Sequence, residues 1–260
     1  MDPPRVGVSM LYCLGEPFYR MSKQLTGIQA EYIEIVDDGL HALNKQRVAT
    51  LNNIGVSKGL KYSVHAPFAD VNISSPSKPL LRAMLKRLEQ SIMHAQALDS
   101  YLWVFHPGTR TGISFFYPSM DWIQNLKSAQ TLAKASREYG VPVAVENVPE
   151  PLPCLMKSVK DFENFYAEMN ENIGIVLDVG HSNINGQTES FLRTFQRKIV
   201  HLHVSDNDGK SDQHLGVGRG TVNWGGLVSL LKELSYDRTV VIESVEHVGE
   251  SLRKLKKLLD

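Results

Sequence analysis

Short apolar segments rich in β-branched residues alternate with amphipathic helical segments along the chain, and this alternation most constrains the fold. Most of the apolar segments lack a polar face, which is typical of parallel strands buried on both sides of a sheet. Eight of them are predicted as strands: Val6–Met10, Tyr32–Val36, Tyr62–His65, Leu102–His106, Val143–Asn147, Ile173–Asp178, Ile199–Val204 and Thr239–Glu243.

Helical periodicity fills several of the intervals between these strands. Within Leu80–Leu98, five apolar residues recur at steps of three or four, which places them on one side of a helix. The other predicted helices are Ile123–Tyr139, Val159–Met169, Leu227–Leu234 and Leu252–Leu259. Eight strand–helix units in 260 residues predict an α/β fold, a single (β/α)₈ TIM barrel.

The main alternative is an open, doubly wound sheet, which usually carries a glycine-rich phosphate turn after its first strand. Here Gly15 is the one glycine that follows the first strand closely. The dense glycine run, Gly216, Gly218 and Gly220, comes too late in the chain to open such a crossover. Because there is also no break in composition, we expect residues 1–260 to form one barrel domain.

Charge and cysteine content narrow the functional classes. Lys plus Arg and Asp plus Glu are 28 each, so the formal net charge is +0, which argues against a strongly basic nucleic-acid binder. The two cysteines, Cys13 and Cys154, exclude a disulfide framework and are expected to be passive thiols. No apolar run approaches the ~18 residues of a membrane span. We therefore expect a soluble cytoplasmic protein without a membrane partner.

Ionisable residues collect where the predicted strands end. The third and fourth strands end at His65 and His106, and Glu146 lies at the end of the fifth. Asp178 ends the sixth strand, with His181 three residues on; the seventh carries His201 and His203, and the eighth ends at Glu243. In a parallel barrel these ends share one face, where barrel enzymes place their chemistry.

This concentration predicts a metal site. A buried carboxylate or imidazole is costly unless it is paired or binds a metal ion, and four carboxylates in one mouth would repel one another without a cation. Histidine and carboxylate ligands without thiolate suit Zn²⁺, Mn²⁺ or Fe²⁺ better than Ca²⁺ or Mg²⁺. The four carboxylates are Glu146, Asp178, Asp212 and Glu243.

Other polar residues are given ordinary structural roles. His41, His94 and His247 are expected to face solvent, and His201 is assigned to the opposite face of its strand from His203, toward the helices. The basic run Arg253–Lys257 is interpreted as the solvated face of the last helix.

Taken in order along the chain, the strand-end motifs resemble the xylose-isomerase-like barrel superfamily. The resemblance runs from the first strand to Glu243, and each motif is weak alone. The matching stretches are Val64–Phe68, Phe105–Gly108, Val145–Asn147, Leu177–His181, His203–Asp206, Asp212–His214 with Gly218 and Gly220, and Ile242–Ser244. The superfamily includes sugar and sugar-phosphate isomerases and epimerases, and the endonuclease IV type of apurinic-site (AP) nuclease, AP endonuclease family 2.

The resemblance implies two ligand sets. In the isomerases and epimerases, one divalent ion would be held at the positions of Glu146, Asp178, His203 and Glu243. In the endonuclease IV branch, a trinuclear zinc cluster would add His65, His106, His181, Asp212 and His214 as ligands. All nine positions carry a residue of ligand type.

Two functions therefore stay open. The first is a sugar or sugar-phosphate isomerase or epimerase, in which Glu146 and Glu243 are the catalytic acid and base. His65, His106, His181 and His214 would then bind substrate hydroxyls, and Lys210 and Arg219 a phosphate. The second is phosphodiester hydrolysis at abasic DNA sites. A short loop after His203, the segment Asp37–Leu40 and the neutral charge all favour the first.

A third class, a ligand-binding barrel without catalysis, is disfavoured because both Glu146 and Glu243 are retained. The oligomeric state is also open. Barrel relatives often pair, which makes a homodimer one alternative.

Overall fold

The computed structural model describes residues 3–259, and its sheet is a closed barrel of eight parallel strands. Each strand pairs with the next along the chain, and β8 closes the barrel against β1. The predicted TIM barrel is thereby confirmed. The strands are β1 Arg5–Ser9, β2 Tyr32–Val36, β3 Lys61–His65, β4 Leu102–Phe105, β5 Val143–Glu146, β6 Gly174–Asp178, β7 Ile199–Val204 and β8 Thr239–Ile242.

Helices fill the connections between these strands. Within residues 3–259, the five predicted helices are present, with ends shifted by up to four residues, and four further α-helices were not predicted. The α-helices are α1 Phe18–Leu25, α2 Lys45–Lys58, α3 Lys78–Ala97, α4 Met120–Tyr139, α5 Val159–Glu168, α6 Val179–Ile184, α7 Thr188–Thr194, α8 Trp224–Glu233 and α9 Val248–Leu259.

Local sequence explains several helix starts. The side chain of Asn44 accepts a hydrogen bond from the backbone of Arg47 at the start of α2. Ser158 and Asp161 form a reciprocal capping box at the start of α5. Asp178 ends β6 and also caps α6 by accepting from the backbone N–H of His181 at 2.6 Å. Such caps satisfy amide groups that the first helical turn leaves without partners.

The main apolar core lies between the strands and the surrounding helices. Ile33 and Ile35 of β2 point into it and are fully buried, as are Phe162 and Phe165 of α5. A smaller, separate apolar cluster consists of Leu102, Val104, Ala144 and Val176 from β4, β5 and β6. Its members alternate along their strands with the outward core residues, so this cluster lies inside the barrel.

The turn after β4 depends on a glycine. A Cβ atom at Gly108 would lie 1.8 Å from the hydroxyl of Ser74, so no larger residue fits without moving that loop. The backbone N–H of Gly108 donates to Asn125 of α4 at 2.8 Å. Close packing on both sides thus fixes the turn directly after His106.

One expectation about a loop histidine is wrong. His41 ends a short 3₁₀ helix, Gly39–His41, and is fully buried rather than solvent-facing. Its Nε2 bonds to the carbonyl of Glu16 at 3.0 Å. His247, in contrast, is exposed as expected. Among residues 3–259, no helix combines the length and apolar character that a membrane crossing requires.

Candidate metal centre

The structure brings all nine predicted ligand residues together at the carboxyl ends of the strands. They form three groups, two of which share Glu146, and in each group one ligand atom per residue lies within 4.8 Å of the others. The groups are Glu146, Asp178, His203 and Glu243; His65, His106 and Glu146; and His181, Asp212 and His214.

The first group, hereafter the central group, is fully enclosed. Glu146 and Asp178 end β5 and β6, His203 lies in β7, and Glu243 directly follows β8. All four side chains are buried. Nδ1 of His203 lies 3.2 Å from Oε1 of Glu146 and 3.5 Å from Oε2 of Glu243. The two glutamates, from β5 and β8, therefore flank one imidazole nitrogen.

The second group shares Glu146 with the first. The Nε2 atoms of His65 and His106 each lie 3.3 Å from Oε2 of Glu146. The two rings meet edge to face, with centroids 4.9 Å apart. Nδ1 of His65 is 2.8 Å from the carbonyl of Ala66, which only accepts hydrogen bonds, so Nδ1 carries the proton. In the neutral ring, Nε2 then presents a lone pair to the group.

The third group lies on α6 and on the loop between β7 and α8. Nε2 of His181 and Nε2 of His214 each lie 3.2 Å from Oδ2 of Asp212. Their Nδ1 atoms face the carbonyls of Asn147 and Glu243, at 2.7 and 3.0 Å. These rings are therefore oriented like His65, with Nδ1 on a backbone oxygen and Nε2 toward the group.

A buried aspartate, Asp206, stabilises the conformation of the loop that carries Asp212 and His214. One oxygen of Asp206 accepts from the backbone N–H of Val222 at 3.0 Å. Its other oxygen accepts from the N–H of Gly218 at 2.9 Å and from the indole of Trp224 at 2.8 Å. These hydrogen bonds connect the end of the loop to Asp206 at its start.

Burial and charge act against each other on these histidines. Burial lowers their pKa values, but neighbouring carboxylates outweigh it: Glu146 raises the pKa of His65 to about 9, and Asp178 and Asp212 raise that of His181 to about 10. Burial likewise lowers the pKa of His214, yet Asp212 raises it to about 9. The pKa of His106 is lowered, because burial and the nearby His65 outweigh the attraction of Glu146. The carboxylates of these groups therefore stabilise the protonated form of His65, His181 and His214, but not that of His106.

Several buried polar atoms of these groups form no well-oriented hydrogen bond, although Oε2 of Glu146 and Nδ1 of His203 have close neighbours at 3.3 and 3.2 Å. They include Oε2 of Glu146, Oδ2 of Asp178 and Nδ1 of His203. Leaving such atoms without partners costs about 1–3 kcal/mol each, and more for charged groups. A divalent ion bound by carboxylate oxygens and imidazole nitrogens satisfies them, so the donor set fits a metal such as Zn²⁺ or Mn²⁺.

Two predicted substrate-binding residues lie apart from the three groups. Lys210 is exposed. Arg219 is exposed and pairs with Oε2 of Glu250 at 3.0 Å. Their role in holding a phosphate stays a prediction.

Sequence reasoning missed Glu34 and misplaced His201. Glu34 lies in the middle of β2, is fully buried, and forms a further cluster with His201 and His203. His201 does not point toward the helices, because residues two apart in a strand share a face. Its ring lies 5.1 Å from that of His203, inside the barrel. The available signal was a carboxylate in the apolar segment Tyr32–Val36.

Comparisons with known proteins identify the family. The family model described as "Xylose isomerase-like TIM barrel" matches residues 25–258. The chain belongs to the xylose isomerase-like TIM barrel family. The crystal structure of a D-tagatose 3-epimerase-like protein superimposes with a TM-score of 0.92 at 27% identity, covering 98% of this chain and 97% of that one.

Relatives in this family carry different names. A D-psicose 3-epimerase of Ruminiclostridium cellulolyticum is 24% identical over 231 residues, covering 84% of this chain and 75% of its own. A probable endonuclease 4 of Aquifex aeolicus is 24% identical over 188 residues, covering 65% of each chain. Membership of the family thus fits both functions that the sequence leaves open.

Proposed function

We propose that the protein is a divalent-metal-dependent isomerase or epimerase of a sugar or sugar phosphate, which moves a proton at a carbon beside a carbonyl. The observation that carries this proposal is the central group, in which two buried glutamates flank Nδ1 of His203. Likeness over nearly the whole chain to an epimerase-like structure supports it.

In this proposal the central group holds the ion. Glu146, Asp178, His203 and Glu243 would be its ligands, and the bound ion would polarise a carbonyl and the adjacent hydroxyl. Glu146 and Glu243 enter the barrel mouth from different strands, three positions apart, which suits removal of a proton from one face of the substrate and delivery to the other.

The surrounding histidines bind and orient the substrate. His65, His106, His181 and His214 ring the central group and present Nε2 or its proton to a hydroxyl. Lys210 and Arg219 remain the proposed contacts for a phosphate group.

Hydrogen exchange provides the direct test. Protein loaded with Mn²⁺ or Zn²⁺ is incubated with ketoses and ketose phosphates in D₂O, and exchange at the carbon beside the carbonyl is followed by NMR. We expect exchange by the natural protein and its loss in Glu243→Gln and Glu146→Gln. The matched control is Glu163→Gln, an exposed carboxylate on α5 outside the groups. Metal-loaded protein that exchanges none of the panel contradicts the proposal.

A second candidate is phosphodiester hydrolysis at abasic DNA sites. The observation that favours it is the presence of three neighbouring groups of ligand-type residues, since an isomerase of the proposed kind needs only the central group to hold its ion. Several ions together would generate a hydroxide and neutralise the phosphate and the leaving oxygen. All nine residues would then be metal ligands.

Plasmid nicking separates the two candidates. A plasmid carrying abasic sites is incubated with the natural protein, with His106→Ala and with His214→Ala, each loaded with Zn²⁺, alongside a chelator control. Nicking that is lost in both variants would favour the nuclease. An intact plasmid, together with hydrogen exchange on a ketose, would favour the isomerase.

A further inference from the structure

Glu34 is an ionisable side chain where packing alone would place an apolar one. It lies in the middle of β2, between Ile33 and Ile35, and is fully buried. Burial of a carboxylate costs several kcal/mol unless partners compensate it. Its partners therefore show what the residue is for.

The main partner is a proposed metal ligand. Nε2 of His203 lies 3.1 Å from Oε1 of Glu34 and 3.2 Å from Oε2. The other nitrogen of the same ring, Nδ1, faces Glu146 and Glu243 in the central group. One imidazole thus connects Glu34 to the central group.

His203 differs from its neighbours in how it is oriented. His65, His181 and His214 each place Nδ1 on a backbone carbonyl and turn Nε2 toward their groups. His203 is reversed: Nδ1 faces the central group, and Nε2 faces a side-chain carboxylate. A metal-binding histidine needs a hydrogen bond on its second nitrogen to fix the tautomer and the ring. At His203 this partner is Glu34.

We propose that Glu34 is a positioning residue, which holds the proton of His203 on Nε2 and so presents Nδ1 as a neutral ligand. The inference rests on the metal centre of the proposed function. A carboxylate in this role also makes the imidazole a stronger donor to the metal.

Glu34 is itself held in place. The hydroxyl of Ser63 donates to its Oε2 at 3.1 Å, and the hydroxyl of Tyr101 donates to Oγ of Ser63 at 3.2 Å. A chain of hydrogen bonds therefore runs from Tyr101 through Ser63 and Glu34 to His203. The effect of removing a member should decrease with its distance from His203.

The decisive experiment measures metal binding directly. Mn²⁺ and Zn²⁺ are titrated by calorimetry into the metal-free natural protein and into Glu34→Gln, which keeps the size of the side chain but not its charge. We expect the affinity of one ion to fall about 10- to 100-fold, the range typical of lost second partners of metal-bound histidines. Ser63→Ala and Tyr101→Phe should give smaller losses, in that order, and carry the test if Glu34→Gln does not fold.

Two further measurements distinguish a role in positioning His203 from a general disruption of the fold. In the Zn²⁺-loaded natural protein, the Nε2 proton of His203 should give a low-field NMR signal, which Glu34→Gln shifts or removes. Ser91→Ala, which removes the buried hydroxyl bonded to Trp103, is the matched control. It should leave both the metal affinity and the NMR signal unchanged.

Failure of this inference is distinguishable from failure of the proposed function. If Glu34→Gln binds metal as tightly as the natural protein, the positioning role is overturned and the metal centre stands. If the natural protein binds no metal, both the positioning role and the proposed metal centre are overturned.

A separate ion between Glu34 and His201 is the other explanation to test, because Nε2 of His201 lies only 3.6 Å from Glu34. If Glu34→Gln and His201→Ala each lose one ion and the rest bind unchanged, Glu34 holds an ion of its own, and positioning is also overturned.

Discussion

The interior of the barrel has an apolar part and a polar part on neighbouring strands. On β4, β5 and β6 it is filled by Leu102, Val104, Ala144 and Val176. On β2, β3 and β7 it contains Glu34, Ser63 and His201, all fully buried. The register joins the two parts directly, since Ser63 pairs with Leu102 and His201 with Val176.

The two parts stabilise the fold in different ways. Apolar side chains gain free energy from burial wherever they pack, so the first part needs no particular partner. Every polar group in the second part needs a partner at a defined position. Polar groups at this depth therefore indicate a function, and they lie beneath His203 of the central group.

The largest expected effect is on catalysis. Glu243→Gln keeps the volume of the side chain but removes a metal ligand and the proposed acid or base. We expect turnover to fall about 10²- to 10⁴-fold, as is typical when a general acid or base is lost. Turnover is measured on the ketose identified by hydrogen exchange. Retention of more than a tenth of the activity would contradict a direct role for this carboxylate.

The apolar part should respond in stability instead. Leu102 is 4% exposed, and Leu102→Ala leaves a cavity inside the barrel. We expect the free energy of unfolding to fall by about 2–5 kcal/mol, measured by urea denaturation. Metal affinity should stay within a factor of three. A large loss of affinity in this variant would show that the two parts do not act separately.

Metal affinity should depend on pH. Burial lowers the pKa of His203 in the metal-free protein, but Glu243, Glu34 and Glu146 together raise it well above its usual value, whereas the form that binds a metal is the neutral ring. Binding must therefore release protons, and affinity should rise about tenfold per pH unit for each proton released. Calorimetry at pH 6, 7 and 8 measures this slope. A flat profile would mean that His203 does not bind the ion.

The smallest effect is expected at the rim. Arg219 is exposed and pairs with Glu250 on the surface. Arg219→Ala should change the stability by less than about 1 kcal/mol, because exposed ion pairs contribute little. If the substrate carries a phosphate and Arg219 binds it, KM should rise for the phosphorylated sugar alone. An equal KM for both forms would remove Arg219 from the site.

Much of the site was predictable because its signal is local. An apolar strand that ends in histidine or a carboxylate is visible within five residues, as at Val143–Glu146, and barrel geometry brings such ends together. Glu34 was missed because its partner, His203, lies 169 positions away in the sequence. His41 was misassigned for a similar reason, since the carbonyl that bonds it belongs to the distant Glu16.

The error at His201 had another source. Strand alternation already places residues 201 and 203 on one face, so the sequence was sufficient and the assignment was wrong. Its consequence was larger than one residue, since a second inward-facing histidine on β7 would have pointed to the polar part beneath the central group.

The loop closed by Asp206 makes two of the ligand-type residues separable from the barrel. Asp212 and His214 lie on a segment whose shape depends on bonds from Asp206 to Gly218, Val222 and Trp224. Exchanging this segment for a shorter connection would remove Asp212 and His214 and leave β1 to β8 as they are. Under either candidate function, the outer part of the site is thus a modular feature, which evolution or a designer can change by replacing one loop.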